Sequence, residues 1–150
     1  MDGYKEWAQS FSMEWLAELL NSIEKNCSQE KCALLLDQCG ACHYKSMEQI
    51  LEGYVGDLEG FISFMSKEHG QIVTYKEAEG IILVDENKSY CVCPITQCMD
   101  GKKVSPVLCH CSASMTQKMI SRIIGKEVKS RVAASILRGD KSCVYEIRLF

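Results

Sequence analysis

A chain of 150 residues with a net charge of −3 and a pI near 5.6 is a poor general nucleic-acid binder, which needs a basic face. Its 47% hydrophobic and 25% charged residues match a globular composition and exclude a disordered one. No run of about 18 apolar residues offers a membrane span. The N-terminus lacks the basic-then-apolar order of a secretory signal, so a cytoplasmic protein is expected. A domain of this length buries roughly 68–70% of its unfolded surface and can hold a core without disulfides. One domain over residues 1–150 is expected, helical over about 3–69 and sheet-forming over about 71–150.

Trp7, Phe11, Trp15, Leu19 and Ile23 recur every four residues, with Leu16 and Leu20 widening the stripe, and Asp2 stands where a cap would. A first helix with that stripe on its inner face is expected. A second helix should follow Ser28 and carry Leu34, Leu35 and Leu36 toward Cys39. Ser46, Glu48 and Ile50 suggest a short third helix. A fourth should follow Gly56, with Leu58, Phe61, Ile62 and Met65 on one face and Gly70 ending it.

The pattern then changes to short Ile-, Val- and Tyr-rich runs: Gln71 to Tyr75, Gly80 to Val84 and Tyr90 to Cys93. Pro94 and Pro106 bracket a polar loop containing Asp100 and Gly101. Ser112 is expected to open a further helix with Met115, Met119, Ile120, Ile123 and Ile124 inside and Gly125 at its end. Val128 to Leu137 and Cys143 to Phe150 read as two long strands joined by the turn at Gly139-Asp140. Helices followed by a mostly antiparallel sheet, with one embedded helix and a C-terminal hairpin, is an α+β order.

Ten cysteines require a reason. In a reducing compartment they favour metal binding, catalysis or burial over disulfides. Cys27, Cys32 and Cys143 stand alone and are expected to be structural. Cys91-Val92-Cys93 and Cys109-His110-Cys111 are different, because side chains two apart on a strand share a face. If these segments lie side by side, Cys91, Cys93, Cys109 and Cys111 could converge as thiolate ligands for zinc, with an iron–sulfur cluster the lesser option. Cys109 and Cys111 also precede the helix expected at Ser112, and a helix N-terminus favours thiolate. Both are therefore candidate nucleophiles. Cys39-Gly40-Ala41-Cys42-His43 has the letters of a haem attachment site, but no export signal accompanies it, and no haem is expected. Its two cysteines are better placed to approach the second-half cluster.

Cys39-Gly40 with Cys42, Cys91-Val92-Cys93-Pro94, Leu108-Cys109-His110-Cys111-Ser112, Gly125-Lys126-Glu127-Val128 and Ser135 to Asp140 with Cys143 together resemble the L-2-amino-thiazoline-4-carboxylic acid hydrolase-like family. The closing stretch is also similar to 4-vinyl reductase-type domains, which group with nitric-oxide sensors and vesicle-transport subunits. The resemblance implies a helical layer on an antiparallel sheet and hydrolytic opening of a small thiazoline ring. On that reading Cys109 or Cys111, or a metal held by the paired cysteines, activates water or attacks a C=N carbon, with Glu127 or Asp140 as candidate bases. The other readings are a non-catalytic domain that senses a small molecule, metal or redox state through the same cluster, and a purely structural cluster. A homodimer is left open.

Overall fold

The computed structural model describes residues 1–99 and 101–150; Asp100, in the expected polar loop, lies outside the described residues. The fold is α+β: a helical layer on a four-stranded, wholly antiparallel sheet of order β1-β2-β4-β3. The helices are α1 (Asp2–Asn26), α2 (Gln29–Lys45), α3 (Glu48–Leu51), α4 (Leu58–His69), α5 (Pro94–Cys98) and α6 (Cys109–Ile124). The strands are β1 (Ile72–Lys76), β2 (Ile81–Asp85), β3 (Lys129–Ala134) and β4 (Val144–Arg148).

Local chemistry sets several boundaries. Ser28 Oγ accepts the Lys31 N–H at 3.2 Å at the start of α2, and Asp57 Oδ1 accepts the Gly60 N–H at 2.9 Å at the start of α4. Gly70 ends α4 with φ +67, a left-handed conformation that only glycine adopts at little cost. Asp2 makes no cap; it is the first helical residue of α1, whose N-cap has no side-chain hydrogen bond.

One face of the sheet carries the core. Ile82 pairs with Ile147, and Val84 pairs with Tyr145, which in turn faces Val132 across β3. These side chains meet Ala113, Met119, Ile120 and Ile123 of α6 and Leu51, Phe61 and Met65 from α3 and α4. The opposite face is charged: Glu146 bridges Arg131 at 2.6 Å and Arg148 at 2.9 Å, which holds its carboxyl down at about 2. A second cluster forms where α1 and α2 meet the 99–108 segment, through Leu20, Cys32, Leu36, Met99, Val104, Val107 and Leu108.

Three expectations are corrected. In α1 the aromatic stripe faces outward: Trp7, Phe11 and Trp15 are each more than half exposed, while Ala17 and Leu20 are buried and Met13, Leu16 and Ile23 pack on the second cluster. Residues 90–93 form no strand. Asn87 turns the chain with φ +54, Pro94 opens α5, and the Cys91 carbonyl is taken by Gln97 Nε2 at 2.6 Å. Finally, α6 begins at Cys109, not Ser112, because Ser105 caps a 3-10 turn over Pro106–Leu108 that runs straight into it. The hairpin between β3 and β4 is present, with a 3-10 turn at Ile136–Arg138 and Gly139 at φ +93 in its connection. Asp140 Oδ2 fixes that connection by accepting the Ser135 N–H at 2.8 Å.

Candidate functional site

The early start of α6 decides where its thiols go. Residues two apart on a helix are separated by about 200° around its axis, so they diverge where a strand would align them. Cys109 faces the sheet, and its sulfur lies 3.0 Å from the Ser135 hydroxyl, which is fully buried. Cys111 turns toward α2, where Cys39 and Cys42 are its neighbours along with Cys93. His110, between them, lies with Nε2 3.2 Å from Gln29 Oε1 and is pushed below its ordinary value by burial and by Arg138. Among the described residues, no group of three or more His, Cys, Asp or Glu is disposed to hold a metal ion. The four sulfurs expected to share a zinc ion therefore do not form a ligand set.

What the fold does bring together is three of the four expected cysteines, Cys91, Cys93 and Cys109, with Cys143, on the wall of a cavity of about 310 Å³ between α6, the end of α4, the sheet and the 86–94 segment. That volume lies at the lower end of small-molecule sites. Met47, Met65, Met115 and Met119 supply much of the apolar lining. Gln71, Glu86 and Lys88 supply polar groups, and His43 and His69 reach the same space. Gln71 Nε2 donates to Glu86 Oε2 at 2.9 Å, while its buried Oε1 has no hydrogen-bond partner. A buried amide oxygen without a donor costs on the order of 1–3 kcal/mol. An incoming N–H or O–H group could relieve that cost.

The charge states of Cys91, Cys109, Cys111 and Cys143 differ because their surroundings differ. Cys91 is brought down to about 6, first by the Cys143 thiol hydrogen-bonded to it, then by the Thr96 hydroxyl at 3.4 Å and a backbone bond at Cys93, against burial and the charge of Glu86. Cys143 is driven strongly upward by the same bond and by burial, so it remains the proton-bearing partner. Its sulfur also accepts the Ile136 N–H at 3.4 Å. Burial raises Cys109, partly opposed by Ser135. Burial raises Cys111 to about 11, aided by Cys93, Cys39 and Cys42. At this helix N-terminus burial outweighs the dipole, and Cys109 and Cys111 favour the thiol.

High pH should destabilise the fold through these thiols. Cys109, Cys111 and Cys143 are all raised from 9.0, so above about pH 9 the unfolded chain releases these protons first and stability falls. The contribution is fully present below about pH 9 and, for Cys111, lost as pH rises through about 11. Two pKa units correspond to about 2.7 kcal/mol. The thermal midpoint in reducing buffer should drop by about 5 °C or more between about pH 8 and pH 11. A flat profile would show that these thiols are as accessible folded as unfolded.

The remaining cysteines are placed as follows. Cys32 is fully buried and Cys27 half-buried against the second cluster. Cys39, Cys42 and Cys98 are exposed. Cys143 is the site residue that sequence reasoning set aside as structural. Its partner lies about fifty residues away, and no local pattern links them. No protein-family model and no curated protein matches this chain.

Proposed function

We propose that the cavity binds a small molecule with an electrophilic carbon and that the Cys91 thiolate attacks it. The substrate class is that implied by the family resemblance, a small cyclic C=N compound of the thiazoline type. The supporting observation is that Cys91, held between Cys143 and Thr96, opens on a cavity of about 310 Å³. This moves the nucleophile from Cys109 and Cys111 to Cys91. Cys109 remains on the cavity wall, and Cys111 is directed at α2.

The reaction balances without another reagent than water. The Cys91 sulfur bonds to the C=N carbon while the π pair moves to nitrogen, which takes a proton from solvent. Water then displaces the sulfur, returning the thiolate, and the resulting carbinolamine collapses to a carbonyl, expelling the ring nitrogen as an amine. The unpartnered Gln71 Oε1 suits an N–H of such a substrate.

A second reading, ligand sensing without turnover, is favoured by a separate observation. Among the described residues no histidine is hydrogen-bonded to Cys91, and a lining of four methionines suits adaptable binding. Turnover of a panel of thiazolines and related cyclic amidines separates the two. Hydrolysis predicts ring opening, a covalent adduct on Cys91 by mass, and kcat/KM rising with pH through about 6 as the thiolate forms. Saturable thermal stabilisation by these compounds without ring opening would establish sensing instead. Elemental analysis of the purified protein reads the zinc expectation independently.

A further inference from the structure

We infer that the same cavity is also a peroxide-reducing dithiol site, in which Cys91 is the sulfur first oxidised and Cys143 the sulfur that resolves it. The inference shares Cys91 with the proposed hydrolysis but needs no C=N substrate. Its basis is the pairing. The free thiols of Cys91 and Cys143 are hydrogen-bonded to each other, both are more than nine-tenths buried, and both line the cavity. The segment that carries Cys91 is anchored beside Cys143 at its root, where the Glu86 N–H donates to the Cys143 carbonyl at 2.9 Å. The Ile136 N–H, 3.4 Å from the Cys143 sulfur, orients that sulfur. Cys109, another thiol on the wall, is turned to Ser135 at 3.0 Å. Sequence alone offered no reason to pair residues 91 and 143.

The lining selects the oxidant. Four methionines and the side chains of Leu108 and Leu137 favour an apolar organic hydroperoxide over the fully hydrated parent. The Cys91 thiolate attacks the terminal peroxide oxygen and the O–O bond breaks. Cys91 becomes a sulfenic acid, and the departing alkoxide takes a proton from water to leave as an alcohol. The Cys143 sulfur then attacks the Cys91 sulfur. The S–O bond breaks, hydroxide leaves with the Cys143 proton as water, and a disulfide forms. A small dithiol restores both thiols by exchange and is itself oxidised. The sum is one hydroperoxide and one dithiol consumed, with one alcohol, one water and one disulfide formed.

The test uses the full chain, reduced and freed of reductant, with one equivalent of cumene hydroperoxide, followed by proteolysis without reductant and peptide mass analysis. The expected product is a linked peptide pair joining Cys91 to Cys143. It should form at least about tenfold faster than oxidation of the exposed Cys98. Cys143→Ser should lose the link and leave a sulfenic acid on Cys91 that dimedone traps. A link between Cys39 and Cys42 or between Cys91 and Cys109, or oxidation spread evenly over the exposed thiols, would overturn the inference. The parent's peptide map decides this even if Cys143→Ser fails to fold. Ring-opening activity with no link would retain the hydrolytic reading and reject this one, and the reverse outcome would do the opposite.

Discussion

Cys91→Ser should abolish ring opening, lowering kcat/KM by more than about a thousandfold. A serine hydroxyl at this site keeps the volume and the neighbours of the thiol but stays protonated at neutral pH. No described histidine is bonded to it that could take its proton. The thermal midpoint should change little, because sulfur and oxygen differ by little volume and Thr96 can still bond the new group. Cys109→Ser and Cys111→Ser discriminate between readings of the chain. Cys109 lines the cavity, so its serine variant should alter KM through packing and through a changed hydrogen bond with Ser135. Cys111 faces α2, and its variant should act on stability alone. Loss of turnover in Cys111→Ser with normal turnover in Cys91→Ser would restore the sequence-based assignment and remove the present one.

Gly40→Val should destabilise the protein by about 3 kcal/mol or more, the upper range for overpacking a tight contact. Gly40 is where α2 crosses α6, the most extensive helix–helix contact of the fold. A Cβ built there would fall on the Ser114 hydroxyl and lie 2.9 Å from the Cys111 carbonyl oxygen. A backbone oxygen inside a helix cannot step aside. Ser114 is also committed: its hydroxyl donates to Asp37 Oδ1 at 2.7 Å and accepts from Lys118 Nζ at 3.0 Å. Lys118 meets the same carboxylate at 2.6 Å. Valine would therefore part the helices and break this network, with no gain in helix propensity beyond the roughly 0.5–1 kcal/mol that leaving glycine brings. Ser114→Gly should partly rescue Gly40→Ala, since it removes two of the three clashing atoms. Equilibrium denaturation of the two single variants and the pair reads this directly. No coupling would mean that the helices do not touch there. Because α6 also carries Cys109, Ser112, Met115, Thr116 and Met119 of the cavity wall, the same variants should loosen ligand binding.

Much of the architecture was legible because it is signalled locally. Ser28 and Gly70 mark helix ends by hydrogen bonding and backbone conformation, and the Ile- and Val-rich run in 81–85 marks a strand. The α1 stripe misled because its spacing is four and not 3.6. Each step drifts by about 40°, so Trp7 to Ile23 wander over roughly 160° of the helix surface. The buried positions, Ala17 and Leu20, sit on a different face. The start of α6 was signalled by Ser105-Pro106, a cap followed by proline at the first helical position. The paired cysteines drew attention away from it. The Cys91–Cys143 contact left no trace in the sequence, because it arises from β2 and β4 lying side by side.

That adjacency has a consequence for the order of events during folding. β4 lies between β2 and β3, although it is the last strand in the chain. The β1–β2 hairpin can pair as soon as it is made, yet the inner edge of β2, Ile81–Asp85, stays open over the next sixty or so residues. A nascent chain therefore displays an unpaired apolar strand edge, the feature most prone to mispairing between molecules. During that interval Cys91 has no Cys143 beside it and behaves as an ordinary thiol. Its activation arrives with β4, so reactivity emerges in the same step that closes the sheet, and an incomplete chain is chemically quiet at this position.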